Sequence, residues 1–327
     1  MVRLVLTNLR YLTFEKIFLA AAAAAVLLGV RGGIAGGDYG WSTEYPIFAV
    51  LLTAAVTLLN CGRENTDGTL RNRLTLGYRR PAIFGSFLIS SLVCSFIIYL
   101  LFSVPFFLIA KDTVAKHMSG GKYLVFWAAI LCIVVLVTVG SVVLTMCIPM
   151  LPVAAVALLA AAIGFVASAE YINRALSEPK YIYYSVSSPN KKDFENTDKF
   201  PVEYDEEFGW YYQTACNLNE NYVDGAKREV YTTLLLANPY GQLANINSMM
   251  RWYSDVDVLK QYEELKKAKP ELFEDDSEDE LDEFGKSEVK AAYNEVKGLV
   301  YYPVYTLAFS ALLTVGGILV FRKRNIN

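Results

Sequence analysis

Residues 82–110 read AIFGSFLISSLVCSFIIYLLFSVPFFLIA, 29 residues without a charge. A bilayer core about 30 Å thick is crossed by roughly 20 apolar residues in helix, so this stretch spans with length to spare. The same reasoning selects 123–148 (26 residues), 151–169 (19 residues) and 299–321 (23 residues), all uncharged. Two shorter runs complete the set: 17–30, built on six consecutive alanines, and 45–60, with Trp41 and Tyr45 where interfacial aromatics sit. The expected fold class is an all-α polytopic membrane protein with six transmembrane helices.

The charges divide the chain into two unlike polymers. Residues 170–300 hold 27 of the 33 acids and 15 of the 30 bases, a net −12; the rest holds 6 and 15, a net +9, and the two sum to −3. A basic, apolar frame around an acidic, Tyr-rich insert excludes a single soluble domain, a collagen-like chain and a wholly disordered one. Nucleic acid is not an expected partner, because the basic residues flank apolar runs instead of forming a stripe of their own.

Lys and Arg of short loops stay on the cytoplasmic side. With the N-terminus inside, that side collects Arg3, Arg10, Lys16, Arg63, Arg71, Arg73, Arg79, Arg80, Arg322, Lys323 and Arg324, while the short outer loops carry Arg31, Lys111, Lys116 and Lys122. The expected order is therefore an interfacial elbow helix (1–16), helices 1–2 (17–60), a cytoplasmic loop (61–81), helices 3–5 (82–169), a large acidic extracellular domain (170–298), helix 6 (299–321) and a cytoplasmic tail (322–327). The location is the cell membrane, with both termini cytoplasmic. A basic leader before 17–30 also fits a cleaved secretory signal. Against cleavage stand the sixteen-residue leader, with its own apolar pattern of Leu4, Leu6, Leu9, Tyr11, Leu12 and Phe14, and Arg31 directly after the run. The leader reads instead as an amphipathic helix on the inner interface, in contact with membrane lipid.

Outside, 181–187 is β-prone and 208–212 is aromatic, which predicts a small α+β domain within 178–240. Residues 243–265 and 287–302 carry helical patterns. The stretch 271–283 is strongly acidic and reads as a solvated hinge, serving solubility or, on a sharper reading, attracting cationic ligands such as antimicrobial peptides.

Cytoplasmic material is scarce, and its one substantial piece is Cys61 to Arg80, CGRENTDGTLRNRLTLGYRR. Asp67 is placed to cap a helix starting near Gly68, with Leu70, Leu74 and Leu76 as anchors and Arg71 and Arg73 left exposed. Gly77 ends the helix before Pro81 opens the next span. The plainest account is a positive-inside loop with no partner; the alternative is a short basic helix that passes a push from a cytosolic partner to the spans.

The pattern Glu64-x-x-x-Gly68-Thr69, seven residues, Gly77-x-x-Arg80, directly after the second span, resembles the first cytoplasmic loop of ABC type-2 permeases, the membrane subunits of ATP-driven exporters. Six spans, a leading interfacial helix, a short inner turn between spans four and five and the largest outer segment between spans five and six are similar to that family as well. So is the Asn238-Pro239 step. The resemblance implies that 62–80 is the coupling helix docking on an ATPase subunit. Glu64, Arg71, Arg73 and Arg80 would then be contact or hinge-locking charges, Gly68 and Gly77 the turns, and Thr69 part of the motif. It also implies a second permease copy or a homologue around the pathway. The outer insert of about 130 residues departs from the family pattern.

No G-x-x-x-x-G-K-[ST] occurs, so ATP and Mg belong to the partner, and the chain is expected to be a transport subunit and not an enzyme. His117 is alone, and Cys216 is the one cysteine expected outside, so neither a zinc site nor an external intrachain disulfide is expected. No Asp, Glu, Lys or Arg lies in any assigned span, which disfavours proton-driven transport and a catalytic pair at depth. Pro105 and Pro303 are expected to kink their spans. Ser86, Ser90, Ser91 and Ser95 are expected at a helix contact or along a pathway. Tyr301, Tyr302 and Tyr305 are expected in an outer aromatic belt. The rival to the exporter is a membrane-anchored receptor or accessory protein whose outer domain binds a ligand.

Overall fold

The computed structural model describes residues 2–13, 15–35, 44–114, 120–148, 150–193, 202–205, 209–252, 267 and 301–323. Its helices are α1 (Val2–Thr13), α2 (Lys16–Ala35), α3 (Glu44–Thr66), α4 (Thr69–Thr75), α5 (Arg80–Val114), α6 (Gly120–Cys147), α7 (Leu151–Ser177), α8 (Gly225–Ala237), α9 (Pro239–Trp252) and α10 (Tyr302–Lys323). Among the described residues six helices, α2, α3, α5, α6, α7 and α10, are long and apolar enough to cross a membrane. They fall on the six stretches selected from the sequence. His117, Trp41, the acidic 271–283 and the helical patterns expected beyond Trp252 lie outside the described residues.

The described chain divides into two compact units, Met1–Val166 with Leu236–Asn327, and Ala167–Leu235. The segment expected as one outer domain is therefore split: its described portion from Leu236 onward belongs with the spans. In the second unit a sheet of three described strands, β1 (Tyr181–Ser188), β2 (Val202–Asp205) and β3 (Trp210–Leu218), has the order β1-β3-β2, antiparallel throughout. Tyr181 pairs with Leu218 and Ser188 with Tyr211; on the other edge Tyr204 pairs with Tyr211, their rings 4.7 Å apart and tilted. Aromatic and β-branched residues favour this pleated surface.

In lipid, helices gain little by burying apolar surface against each other, so close packing of small residues and interhelical hydrogen bonds decide the bundle. α2 supplies a small face: Ala21, Ala25 and Gly29 are buried, and Gly29-x-x-x-Gly33 lies directly on α5. A Cβ at Gly29 would collide with the Phe102 carbonyl, and one at Gly33 would come 2.8 Å from the Ile109 Cβ. The serines of α5 supply the bonds. Asn8 donates to Ser86 (3.4 Å), Ser90 donates to the Val5 carbonyl (3.4 Å), Cys61 and Ser91 share a hydrogen bond (3.5 Å), and Thr138 donates to Ser95 (2.8 Å). All four serines are buried helix contacts.

Two expectations at the ends of spans are corrected. Tyr302 is not in an aromatic belt: it is 1% exposed and its hydroxyl accepts a bond from Asn245 (3.2 Å), whereas Tyr301 is 54% exposed. Pro303 falls in the first turn of α10, where its missing N–H has no intrahelical partner to lose, so it opens the helix; Pro105 lies inside α5.

Candidate functional site

α3 does not stop at Asn60 but runs on to Thr66, carrying Arg63 and Glu64 past the apolar segment. The chain then turns at Gly68, whose φ of 73° is a left-handed conformation that side chains with a Cβ adopt at a cost. α4 follows and closes on Gly77 (φ 84°) in a Schellman arrangement: the Gly77 N–H donates to the Leu74 carbonyl (3.0 Å) and the Tyr78 N–H to the Arg73 carbonyl (3.3 Å). Asp67 is not the cap of α4, which has no side-chain cap. Asp67 instead lies 3.4 Å from the Arg63 guanidinium, one turn earlier.

Leu70 is 3% exposed, packed with Cys61 of α3, Ile83, Phe84 and Phe87 of α5, Val142 and Met146 of α6 and Phe321 of α10. Leu74 joins the edge of the same cluster, but Leu76 is 76% exposed, so it is no anchor. The larger correction concerns Arg73. It is not left exposed: its Nη2 lies 3.0 Å from Oε1 and 2.9 Å from Oε2 of Glu64, and its guanidinium sits 4.8 Å over the Phe87 ring. Both side chains are nearly enclosed, 13% and 10% exposed. Arg73 Nη1 and Glu64 Oε2 have no hydrogen-bond partner among the described residues, so the pair is held by charge and ring contact more than by a complete hydrogen-bond set. Taking away either partner leaves a charge stranded in an apolar surround.

Three further placements complete the region. Arg80 donates to the Arg322 carbonyl (2.8 Å) and reaches the Phe321 carbonyl (3.5 Å), putting a cation on the C-terminal carbonyls of α10. Arg63 forms an ion pair with Glu15, between α1 and α2. Arg71 is exposed, as expected, and shares the open side of the loop with Leu76, Tyr78 and Arg79; Thr69 opens α4. The structure thus gathers Glu64, Arg73, Leu70 and Phe87 into one seat, Arg80 into a second contact, and leaves Arg71 outward.

The sequence places Arg63 among the inner basic residues without indicating its partner, and no local pattern ties Glu15 or Phe87 to this region. Glu15, Glu64 and Asp67 are the three acids on the side expected to be basic, and each pairs with an arginine. Their scarcity was a usable signal. Among the described residues no group of His, Cys, Asp or Glu is placed to hold a metal.

A second polar cluster orders the start of α9. Asn238 accepts at Oδ1 from the Tyr240 and Gly241 N–H groups (2.9 and 3.3 Å), capping a helix whose first residue is Pro239, and donates from Nδ2 to the Phe165 carbonyl (2.9 Å). Gln242, fully buried, accepts from Thr306 (2.8 Å) and donates to the Leu236 carbonyl (2.6 Å).

Neither protein-family models nor curated proteins match this chain. The six long apolar helices among its described residues are those of a multi-pass helical membrane protein.

Proposed function

We propose that this chain is the permease subunit of an ATP-driven exporter of the ABC type-2 kind, moved through alternating access by a separate ATPase. The support is the seat of α4: a seven-residue helix rests through Leu70 and Arg73 on side chains of α3, α5, α6 and α10, while Arg71, Leu76, Tyr78 and Arg79 face away. A load on that outer face reaches four helices through a rigid, ion-paired contact. An anchor for a receptor needs no such seat.

On this proposal both termini and α4 are on the cytoplasmic face of the cell membrane, where the basic residues collect. Arg71, Leu76, Tyr78 and Arg79 meet an acidic and apolar groove of the ATPase, which holds ATP and Mg. Glu64 and Arg73 act inside, bracing α4 against α3, and Arg80 ties the start of α5 to the end of α10. A second permease copy or a homologue completes the pathway. Val153, Val156, Leu159 and Ile163 of α7, exposed in the single chain, are surface available to it and to lipid. The acidic segment lies outside and favours cationic peptides, as cargo or as antimicrobials resisted.

Co-expression with any P-loop ATPase encoded beside it tests the proposal. Arg71→Glu with Arg79→Glu should abolish recovery of the ATPase with the permease while the variant still inserts in the membrane; unchanged recovery would reject the docking role.

A further inference from the structure

A polar stripe runs down the buried side of α3: Thr53, Thr57, Asn60 and Glu64 are all enclosed. Their spacing along the helix keeps them on one face. Asn60 and Glu64 are therefore neighbours one turn apart, and Arg73 of α4 lies against Glu64.

Three atoms of this group are closed to bulk solvent and, among the described residues, take part in no hydrogen bond: Oδ1 of Asn60, Oε2 of Glu64 and Nη1 of Arg73. Glu64 Oε2 is in charge contact with Arg73 Nη2 at 2.9 Å but accepts no hydrogen bond from it. Buried polar groups that find no partner in the protein are as a rule satisfied by an ordered water, which needs two to four polar neighbours. The chemistry of the three atoms selects the ligand. A cation would suit the two oxygens but would meet the Arg73 guanidinium, and an anion would suit Arg73 but would meet the Glu64 carboxylate. A neutral molecule that gives two hydrogen bonds and accepts one fits all three, and water is the smallest that does.

We propose that an ordered water molecule is bound between α3 and α4, donating to Asn60 Oδ1 and Glu64 Oε2 and accepting from Arg73 Nη1. It completes the hydrogen-bond set that the direct ion pair leaves open. It also ties α4 to two successive turns of α3, where the ion pair alone reaches one. The site does not depend on what meets the outer face of α4.

Phe87 marks the place, since the Arg73 guanidinium sits 4.8 Å over its ring. The test is X-ray hydroxyl-radical labelling of the full chain in nanodiscs, because radiolysis of a bound water modifies the side chains beside it even where bulk solvent does not reach. Phe87 is 2% exposed, and Phe84 and Phe102 on the same helix are 0% exposed, so bulk solvent alone would leave all three nearly unlabelled. With the water in place, Phe87 should be modified about fivefold or more faster than the other two. Asn60→Leu should bring the Phe87 rate down toward theirs, and so should Glu64→Leu with Arg73→Met, which removes the other two polar atoms. Equal rates at the three rings of the unsubstituted chain would overturn the proposal, as would a Phe87 rate left unchanged by either variant.

Discussion

Arg63 and Glu64 are neighbours in sequence at the end of α3, and their charges serve two different elements: Arg63 holds Glu15 between α1 and α2, and Glu64 holds Arg73 of α4. One helical turn therefore joins the elbow and the α4 seat. The two pairs differ in environment. Arg63 is half exposed, so that pair keeps one member in contact with solvent, although Glu15 is 12% exposed. Glu64 and Arg73 are nearly enclosed, and removing one member of a buried pair costs about 3–5 kcal/mol.

Glu64→Ala and Arg73→Ala should each lower the thermal midpoint of the purified chain well below that of Arg71→Ala, a change at an exposed position of α4. Replacing both together, Glu64→Leu with Arg73→Met, should cost less than either single change, because no stranded charge remains. Melting of the four variants in one detergent checks this. Additive losses would mean the pair is not a coupled unit.

Gly77→Ala should strain the left-handed turn that ends α4, at about 1–2 kcal/mol. Since the Cβ would meet nothing within 4 Å, the loss comes from φ alone. Faster exchange at the Gly77 and Tyr78 amides, with the spans unaffected, is the expected signature. Protection equal to the unsubstituted chain would contradict it.

Gly29→Ala should push α2 away from α5, since its Cβ collides with the Phe102 carbonyl, and should cost about 1–3 kcal/mol. Gly140→Ala, in open space on α6, is the matched control and should be neutral or mildly stabilising. Thermal melting of the two variants side by side decides between a packing role and a merely permissive glycine.

Gln242→Leu should leave the Thr306 hydroxyl without its acceptor in a buried site, costing about 1–3 kcal/mol. Gln242→Leu with Thr306→Val should recover part of that loss. If the double variant is no better than the single, the bond to the Leu236 carbonyl carries the contribution instead.

The spans were legible because a run such as 82–110 states its environment without reference to the rest of the chain. The turns at Gly68 and Gly77 were legible for the same local reason. Arg73 was not read correctly, although Leu70, Arg73 and Leu74 share one face at i, i+3 and i+4; treating arginine as a solvent residue hid the position of its partner nine residues back. Glu15 and Arg63 are 48 residues apart, and no local pattern links them. The Gly29-x-x-x-Gly33 spacing was a usable sign of close packing that the apolar count passed over. Asp67 looked like a cap by residue type and position, but Gly68 took the turn and Arg63 took the carboxylate.

The most direct measurement of the central proposal is photo-crosslinking in intact cells from a benzophenone side chain placed at Leu76, the most exposed apolar residue of the α4 region. The proposal predicts one dominant adduct, with a P-loop ATPase, lost when Arg71 and Arg79 are both changed to Glu. An adduct only with lipid, or labelling of a cysteine at position 76 by a membrane-impermeant reagent from outside the cell, would contradict it.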